Sequence, residues 1–232
     1  MKQRVLIVNP NCLQTVTDSM SAALEGYRFP GGPQIECATL KTGPPGVETQ
    51  AHVDSAAKLL FEWFEEKPAR RQADAVVVAC FSDPGLFALR EALPSPVFGI
   101  GESSYLCAAA LGERFGVIAI MTKGISRHRR AQRALGLQHK LAGELAIDLG
   151  VAELSKEELV WKRMSAVGKK LRDEHGADVL IMGCAGMARY RDRLEDHLRV
   201  PVIDPTQAAV GMALGVLLAK RVAGGGEKRV AA

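Results

Sequence analysis

The sequence predicts an α/β fold in which two similar lobes are each built on a doubly wound parallel sheet. Short apolar runs alternate with helical patterns along the 232 residues, and this alternation is typical of parallel strands joined by helices. An internal repeat supports two lobes, because residues 73–80 read ADAVVVAC and residues 177–184 read ADVLIMGC. Each copy opens with Ala-Asp, continues with apolar residues and ends in cysteine.

The first half contains the elements expected of one such lobe. A buried-type strand is predicted at 4–8, where the sequence reads RVLIV, and a second strand around 35–40. A turn at 43–46, with two glycines and two prolines, separates the second strand from an amphipathic helix at 49–66. The first copy of the repeat follows, and a proline-led apolar strand at 95–98 comes next.

The second half repeats these elements in the same order. A strand at 117–120 corresponds to the first strand of the chain, and the second copy of the repeat is followed by a proline-led strand at 200–203. Ser155 with Glu158 predicts a capping box at the start of an intervening helix. The repeat is far longer than the roughly 20–50 residues of a solenoid unit, so it indicates a duplicated domain.

The lobe boundaries follow from this repeat. We expect a first lobe at 1–98, a second lobe at 99–206 and a helix at 207–222 that returns to complete the first lobe. The apolar run at 208–219 predicts that this helix is buried in a core. Residues 223–232 contain three glycines and no apolar periodicity, and we expect them to form a flexible tail.

Cys80 and Cys184 are candidate catalytic residues because of where the repeat places them. Ligands of open α/β sheets bind outside the carboxyl ends of the strands, and each cysteine comes at such an end, directly before a turn. If the lobes face each other, both thiols point into one cleft. A free cysteine is often only a packing residue, and this is our interpretation of Cys12, Cys37 and Cys107, which lack an equivalent in the other half.

Two opposed thiols suit racemisation at a carbon next to a carbonyl group. A base removes a proton from one face of the carbon, and an acid on the other face delivers one. A free thiol has a pKa of about 8.5, so cysteine can take either part near neutral pH. The two groups exchange protonation states in each turnover, so no cofactor is needed, and they should titrate as a coupled pair. Backbone N–H groups can receive the charge that moves to the carbonyl oxygen.

The turns that follow the thiols can provide such groups. Asp83 is expected to be an N-cap, with Pro84 at the first helical position. Ser82 and Asp83 can also supply hydroxyl and backbone donors to a ligand. After the second thiol, Ala185 and Gly186 are a small residue and a glycine, which permit close approach of the backbone to a ligand. Gly183 and Ala185, on either side of this thiol, are substrate-binding candidates.

Several of these segments together resemble the aspartate/glutamate/hydantoin racemase family, in particular its hydantoin and allantoin racemase branch. The matching strings occur in the expected order through most of the chain: VNPN at 8–11, ACFSDPGL at 79–86, GIGES at 99–103, GCAGM at 183–187 and PVIDP at 201–205. The resemblance implies a two-domain α/β fold with pseudo-twofold symmetry and an active site in the cleft between the domains. It also implies that Cys80 and Cys184 are the proton donor and acceptor.

The sequence also departs from parts of this family. Amino-acid racemases of the wider family typically carry Asn-Thr after the first cysteine and Thr after the second, where this chain has Phe81, Ser82 and Ala185. The difference favours a neutral five-membered hydantoin ring over a free α-carboxylate. Cys12 replaces the Thr or Ser that more usually follows Asn-Pro-Asn in this branch, and it can alter the substrate pocket.

Four further residues are substrate-binding candidates because of their positions. Asn9 and Asn11 end the first strand, where amides can hydrogen-bond a ring carbonyl or N–H, although Asn11 can instead cap the next helix. Thr122 ends the corresponding strand of the second half. Glu102 follows the crossover strand, and the alternative for its carboxylate is an exposed position at a helix start.

The sequence therefore predicts a cofactor-independent isomerase that racemises a 5-substituted hydantoin or allantoin. Alternatives on the same scaffold are an amino-acid racemase, a decarboxylase and a cis–trans isomerase. A decarboxylase needs only one thiol, so the presence of two weighs against it. A non-catalytic binding protein leaves the paired thiols unexplained, and a thiol redox protein normally keeps its cysteines close in sequence.

Composition argues against several other classes. The formal charge of +4 is mild, and the basic cluster at 127–130 has no interleaved aromatic residues, so we expect a solvated helix face and no nucleic-acid partner. The longest apolar run is too short for a membrane span, and no secretion signal is visible. Five cysteines without CxxC spacing and five scattered histidines favour a reduced cytoplasmic protein without a metal site. We expect a small-molecule substrate and a homo-oligomer.

Overall fold

The computed structural model describes residues 2–226 and contains two parallel sheets of four strands each. The strands are β1 (Arg4–Asn9), β2 (Gln34–Thr39), β3 (Ala75–Val78), β4 (Val97–Gly99), β5 (Phe115–Ala119), β6 (Leu141–Ala146), β7 (Val179–Met182) and β8 (Val202–Ile203). The strand order is β2-β1-β3-β4 in the first sheet and β6-β5-β7-β8 in the second. Every pairing is parallel, and the identical order confirms the predicted α/β fold with two similar halves.

Nine α-helices of the described residues flank the two sheets. They are α1 (Gln14–Ala23), α2 (Gln50–Glu66), α3 (Pro68–Arg71), α4 (Leu86–Ala92), α5 (Ile100–Leu111), α6 (Ile125–Ala134), α7 (Glu157–Asp173), α8 (Arg191–Leu198) and α9 (Pro205–Gly226). Short 3-10 helices lie at Glu25–Tyr27, Thr122–Gly124, Gln138–Lys140, Val151–Ser155 and Ala185–Tyr190. In the part of the chain that the structure describes, no helix has the length and hydropathy needed to cross a membrane.

The central strands are buried on both faces because helices cover both sides of each sheet. In β1, Ile7 packs in the same cluster as Val210 of α9, whereas Leu6 packs on the opposite side with Leu60 of α2. Successive residues of a strand point to opposite faces, so a continuous apolar run is what this layered arrangement requires. Each large side chain buried in this way contributes about 1.5–3 kcal/mol.

α9 packs on the first sheet although it follows the second sheet in the sequence. Its Val210 belongs to the same buried cluster as Ile7 of β1. The helix continues to Gly226 and does not end at 222 as predicted, because no proline interrupts it and a helix tolerates glycine at about 1 kcal/mol per residue. The remainder of the expected tail, 227–232, lies outside the described residues.

The capping box predicted at Ser155 is wrong. Ser155 ends the 3-10 helix Val151–Ser155, where its Oγ donates to a backbone carbonyl oxygen of the same helix at 3.1 Å. The N-cap of α7 is Lys156, which makes no side-chain cap bond. Glu153 instead accepts from the backbone N–H of Gly150 at 3.1 Å. Ser155 and Glu153 therefore form their hydrogen bonds in the short 3-10 helix before α7 and do not cap α7.

Candidate active site

Cys80 and Cys184 line the same pocket, at the carboxyl ends of the two sheets. Each cysteine comes two residues after a central strand, Cys80 after β3 and Cys184 after β7. The two strands are equivalent, since each pairs in parallel with the first strand of its own half. The pocket has a cavity volume of about 40 Å³. One water molecule needs about 10–15 Å³, so the site is narrow and suits a small ligand.

Burial raises the pKa of the Cys80 thiol to about 12, because the pocket withholds the water that would solvate a thiolate. The backbone N–H of Ser82 and the guanidinium of Arg127 act in the opposite direction. Charge on Cys184 raises the pKa of Cys80 further, so the pocket favours one thiolate at a time. This coupling matches the requirement of a two-base reaction for one base and one acid.

Burial also raises the pKa of the Cys184 thiol, to about 11. The backbone N–H of Gly186 lowers it, whereas the carboxylates of Asp204 and Glu48 raise it. Both raised pKa values favour the protonated thiols at neutral pH, and the local donors favour the thiolates. Carboxylates act on both thiols, Asp83 on Cys80 and Asp204 with Glu48 on Cys184, whereas the cation Arg127 acts on Cys80 alone.

The structure brings Gly183 and Ala185 to the pocket, on either side of Cys184. A Cβ on Gly183 would lie 2.8 Å from the backbone oxygen of Ile118, so no side chain fits there. The N–H of Gly183 donates to the same oxygen at 2.8 Å, which ties the end of β7 to β5. The glycine is therefore required by the backbone packing that positions Cys184.

Of the two asparagines after the first strand, the structure brings only Asn11 to the pocket. Asn9 is fully buried, and its Nδ2 donates to Asn11 Oδ1 and Thr17 Oγ1, both at 3.0 Å. Asn11 Oδ1 also accepts from the backbone N–H of Leu13 at 2.9 Å. Within residues 2–226 the Nδ2 of Asn11 has no hydrogen-bond partner, so this group is available to a ligand.

Ser82 lines the pocket, but the carboxylate of Asp83 points elsewhere. Its oxygens accept the backbone N–H groups of Gly101 at 2.9 Å and Glu102 at 2.7 Å, and so cap α5. The prediction that Asp83 caps the helix after Cys80 is wrong, because Gly85 is the N-cap of α4. Burial raises the pKa of Asp83 to about 7, although its two backbone donors favour the ionised form.

Glu102, Thr122 and Cys12 lie outside the pocket lining. The Glu102 carboxylate forms a two-pronged ion pair with Arg90, at 2.8 and 3.1 Å. Thr122 Oγ1 donates to the carboxylate of Asp148 at 2.9 Å. The side chains of Glu102 and Thr122 therefore bond to partners outside the pocket.

The interpretation of the basic cluster 127–130 as a solvated helix face is wrong for its first two residues. Arg127 and His128 line the pocket, whereas the last two arginines are exposed. A helix turns by about 100° per residue, so four consecutive residues reach more than one face. The signal available in the sequence was the spacing of four between His128 and Gln132, which form the buried face of α6.

Arg127 brings a positive charge that no carboxylate of the described residues pairs with directly. Its Nη2 donates to the backbone oxygen of Glu48 at 3.0 Å, and its Nη1 to that of Lys123 at 3.4 Å. Its Nε is enclosed by protein and has no hydrogen-bond partner within residues 2–226. Leaving a buried donor unpaired costs about 1–3 kcal/mol, and such a group calls for an explanation beyond packing.

Glu48, another residue that the sequence analysis missed, joins the two halves beside the pocket. Its Oε1 accepts from the backbone N–H of Val151 at 3.1 Å, and its Oε2 from Lys123 Nζ at 3.5 Å. Glu48 precedes α2 in the first half, whereas both partners belong to the second half. The carboxylate therefore holds one wall of the pocket against the other.

The cysteines of the structure are all free thiols, so Cys80 and Cys184 do not form the disulfide of a redox pair. Among the described residues, no three His, Cys, Asp or Glu side chains come together in a way that could hold a metal ion. The polar groups that the pocket offers to a small molecule include two thiols and an arginine.

Comparisons with known proteins agree with this geometry. The model of the Asp/Glu/hydantoin racemase family matches residues 5–213. The hydantoin racemase of Paenarthrobacter aurescens is 30% identical over 211 residues, which cover 90% of this chain and 89% of that protein.

Solved structures show the same relationship. The allantoin racemase from Klebsiella pneumoniae superposes with a TM-score of 0.89 at 30% identity, covering 94% of this chain and 89% of the other. A glutamate racemase from Bacillus anthracis, at 18% identity and a TM-score of 0.68 over 94% of this chain and 82% of its own, shares the fold alone. The chain therefore belongs to the Asp/Glu/hydantoin racemase family and is an isomerase of the racemase type.

Proposed function

We propose that the protein racemises a hydantoin-type substrate, a 5-substituted hydantoin or allantoin, by proton transfer through Cys80 and Cys184. The observation that carries this proposal is the convergence of the two thiols, from equivalent strand ends of the two halves, on one narrow pocket. The similarity to a hydantoin racemase and an allantoin racemase supports the substrate class.

The proposed reaction has two proton transfers. The thiolate of one cysteine takes the hydrogen from the stereocentre, so that a C–H bond breaks, an S–H bond forms and the electron pair moves onto the adjacent carbonyl oxygen. The opposite thiol then gives its proton to the other face of the carbon, as the electron pair returns from the oxygen. The product is the mirror image, and the two cysteines have exchanged protonation states, so the reaction needs no cofactor.

Arg127 is the residue that we assign to the charge on the carbonyl oxygen. It lines the pocket and its guanidinium bonds only to backbone oxygens, with no carboxylate partner among the described residues, so its positive charge can act on the intermediate. The backbone N–H groups of Ser82 and Gly186 act on the two thiols. Donors held in place before the reaction stabilise the developing charge without reorganisation.

A racemase of free amino acids is the second candidate, and the residues beside the thiols support it less. Of Phe81, Ser82 and Ala185, only the serine has a side-chain donor for an α-carboxylate. Phe81 packs edge-on against Tyr105, with ring centroids 5.4 Å apart. Arg127 is the group that would suit a carboxylate, so a substrate panel must include amino acids.

Polarimetry of single enantiomers tests the proposal. The panel contains a 5-substituted hydantoin, allantoin, aspartate and glutamate, and we expect optical rotation to decay only with the hydantoin or allantoin. Cys107→Ser is the control for loss of a thiol outside the pocket and should keep the activity. Decay with aspartate or glutamate alone would identify the second candidate, and decay with none of the four would refute both.

Three further expectations stay predictions. These are the lobe boundaries at 1–98 and 99–206, the cytoplasmic location and the homo-oligomeric state. The free thiols fit a reducing compartment. Light scattering of the purified protein in solution measures the number of chains per particle and tests the last of them.

A further inference from the structure

His128 is a buried histidine inside the candidate active site, and the two-thiol reaction does not use it. It lies on α6 and lines the same pocket as Cys80 and Cys184, with only 5% of its surface exposed. The ring packs edge-on against Phe81, the residue after the first thiol, with centroids 4.9 Å apart. A histidine that lines the same pocket as both thiols is positioned to contact a molecule bound there.

A buried carboxylate holds the inner edge of this ring. Glu144 of β6 is itself buried, and its Oε1 is hydrogen-bonded to His128 Nδ1. Its Oε2 accepts from Gln132 Nε2 at 3.5 Å, one turn further along α6. A carboxylate on one ring nitrogen of a histidine fixes the orientation of the ring and places the hydrogen on that nitrogen.

The outer edge of the ring faces the pocket. A Cβ built on Gly124, another pocket residue, would lie 3.3 Å from His128 Cε1 and 3.6 Å from its Nε2. Within residues 2–226 the Nε2 has no hydrogen-bond partner, and it is not among the enclosed polar atoms that lack one. When Nδ1–H donates to Glu144, Nε2 carries the lone pair of the imidazole. This nitrogen can then accept a hydrogen bond from a molecule in the cavity.

We propose that His128 Nε2 accepts a hydrogen bond from a ring N–H of the substrate and makes the pocket specific for cyclic ureides that keep this N–H. The inference rests on the proposed function and names a specificity-determining contact for it. Glu144 acts through the ring and is a positioning residue. A site built to hydrogen-bond a ligand N–H rejects analogues without it, because its buried polar group is then left unpaired.

Two substitutions of His128 separate this role from a structural one. His128→Asn keeps an amide donor near the Nδ1 position for Glu144 and loses the pocket acceptor. His128→Gln reaches the Nε2 position and loses the bond to Glu144. His139→Asn is the matched control, since His139 is exposed and outside the pocket.

The experiment compares three substrates by kcat/KM. They are a 5-substituted hydantoin, its 3-methyl derivative, and the oxazolidinedione with the same substituent, in which oxygen replaces the N–H next to the stereocentre. The intrinsic acidity of each compound is the same for every variant, so the change in its ratio to the parent isolates the contact. In the unmodified protein and in His139→Asn, we expect kcat/KM for one of the two analogues to be about 100-fold or more below that for the parent hydantoin. The ratio should shrink at least tenfold in His128→Asn and remain closer to that of the unmodified protein in His128→Gln.

Each remaining outcome decides against one claim. Equal ratios in the unmodified protein and in His128→Asn, or no discrimination by the unmodified protein, would overturn the role of His128 and leave the racemase proposal standing. If the unmodified protein racemises neither hydantoin nor allantoin, the proposed function fails and this inference fails with it. Should His128→Asn not fold, the double variant His128→Phe with Glu144→Gln replaces it. That variant removes the Nε2 acceptor without leaving a buried charge unpaired, and unchanged discrimination there would also overturn the proposal.

Discussion

Replacing Arg127 by glutamine should slow racemisation strongly while leaving the protein folded. The substitution removes the positive charge beside Cys80 together with an enclosed Nε that has no partner in the described chain. Loss of one donor that meets developing charge typically lowers kcat by about 10²–10³-fold. Because this contact strengthens only as the charge forms, kcat and kcat/KM should fall by similar factors and KM should change little.

The expected effect on stability is small. Arg127 forms one backbone hydrogen bond of good geometry, to Glu48 at 3.0 Å, and a weaker one to Lys123 at 3.4 Å. Each such bond contributes about 0.5–1.5 kcal/mol, and removal of the unpaired Nε offsets part of the loss. The free energy of unfolding measured in urea should therefore fall by no more than about 2 kcal/mol.

Initial rates from circular dichroism, over a range of substrate concentrations, give kcat and KM for each variant. Arg129→Gln is the matched control, because Arg129 is exposed on the same helix and should leave both constants unchanged. Lysine at position 127 keeps the charge and loses the planar donor set, so its rate should lie between the other two. A folded Arg127→Gln variant with kcat within about threefold of the unmodified protein would refute the assigned role.

Three other expectations follow from the site. Burial raises the pKa values of Cys80 and Cys184 to about 12 and about 11, and only the thiolate reacts with iodoacetamide. The rate of inactivation should therefore rise about tenfold per pH unit between about pH 7 and 10. A rate that stops rising below about pH 9 would contradict the burial argument. Gly183→Ala places a Cβ 2.8 Å from a backbone oxygen, so it should lower stability in thermal unfolding by about 1–3 kcal/mol and slow racemisation. Gly211→Ala is the control: its Cβ would lie 3.7 Å from a ring carbon of Tyr27 within a helix, so it should not destabilise the protein. Asp83→Ala removes the cap of α5 and should lower the free energy of unfolding by about 0.5–2 kcal/mol in urea, and an unchanged midpoint would count against that cap.

Most of the fold could be predicted from the sequence, because the apolar composition of the central strands indicates that they are buried. The apolar runs of β1, β3, β5 and β7 have the pattern of strands covered on both faces, and the repeat reveals their equivalence. Cys80 and Cys184 follow from the same pattern, since each comes just after a central strand, at the edge of its sheet where ligands of such folds bind.

The side-chain directions within the site could not be predicted in the same way. Asp83 and Thr122 follow strand ends, as the thiols do, but each finds a partner far away in sequence, in α5 and at Asp148. Such pairings depend on how loops from different parts of the chain meet, and no local spacing encodes them. The pocket role of Arg127 was hidden for a related reason, because the basic cluster that contains it also includes Arg129 and Arg130, which are exposed.

The exchange of substrate hydrogen for deuterium in heavy water tests the two-thiol mechanism most directly. Cys80→Ser and Cys184→Ser should each lose racemisation by several orders of magnitude, since acid–base assistance contributes about 10²–10⁴-fold per residue and inversion needs both. Each variant should still introduce deuterium into one enantiomer without inverting it, and the two variants should prefer opposite enantiomers, as followed by proton NMR with chiral chromatography. If both serine variants racemise at the rate of the unmodified protein, the thiols are packing residues and the account is wrong.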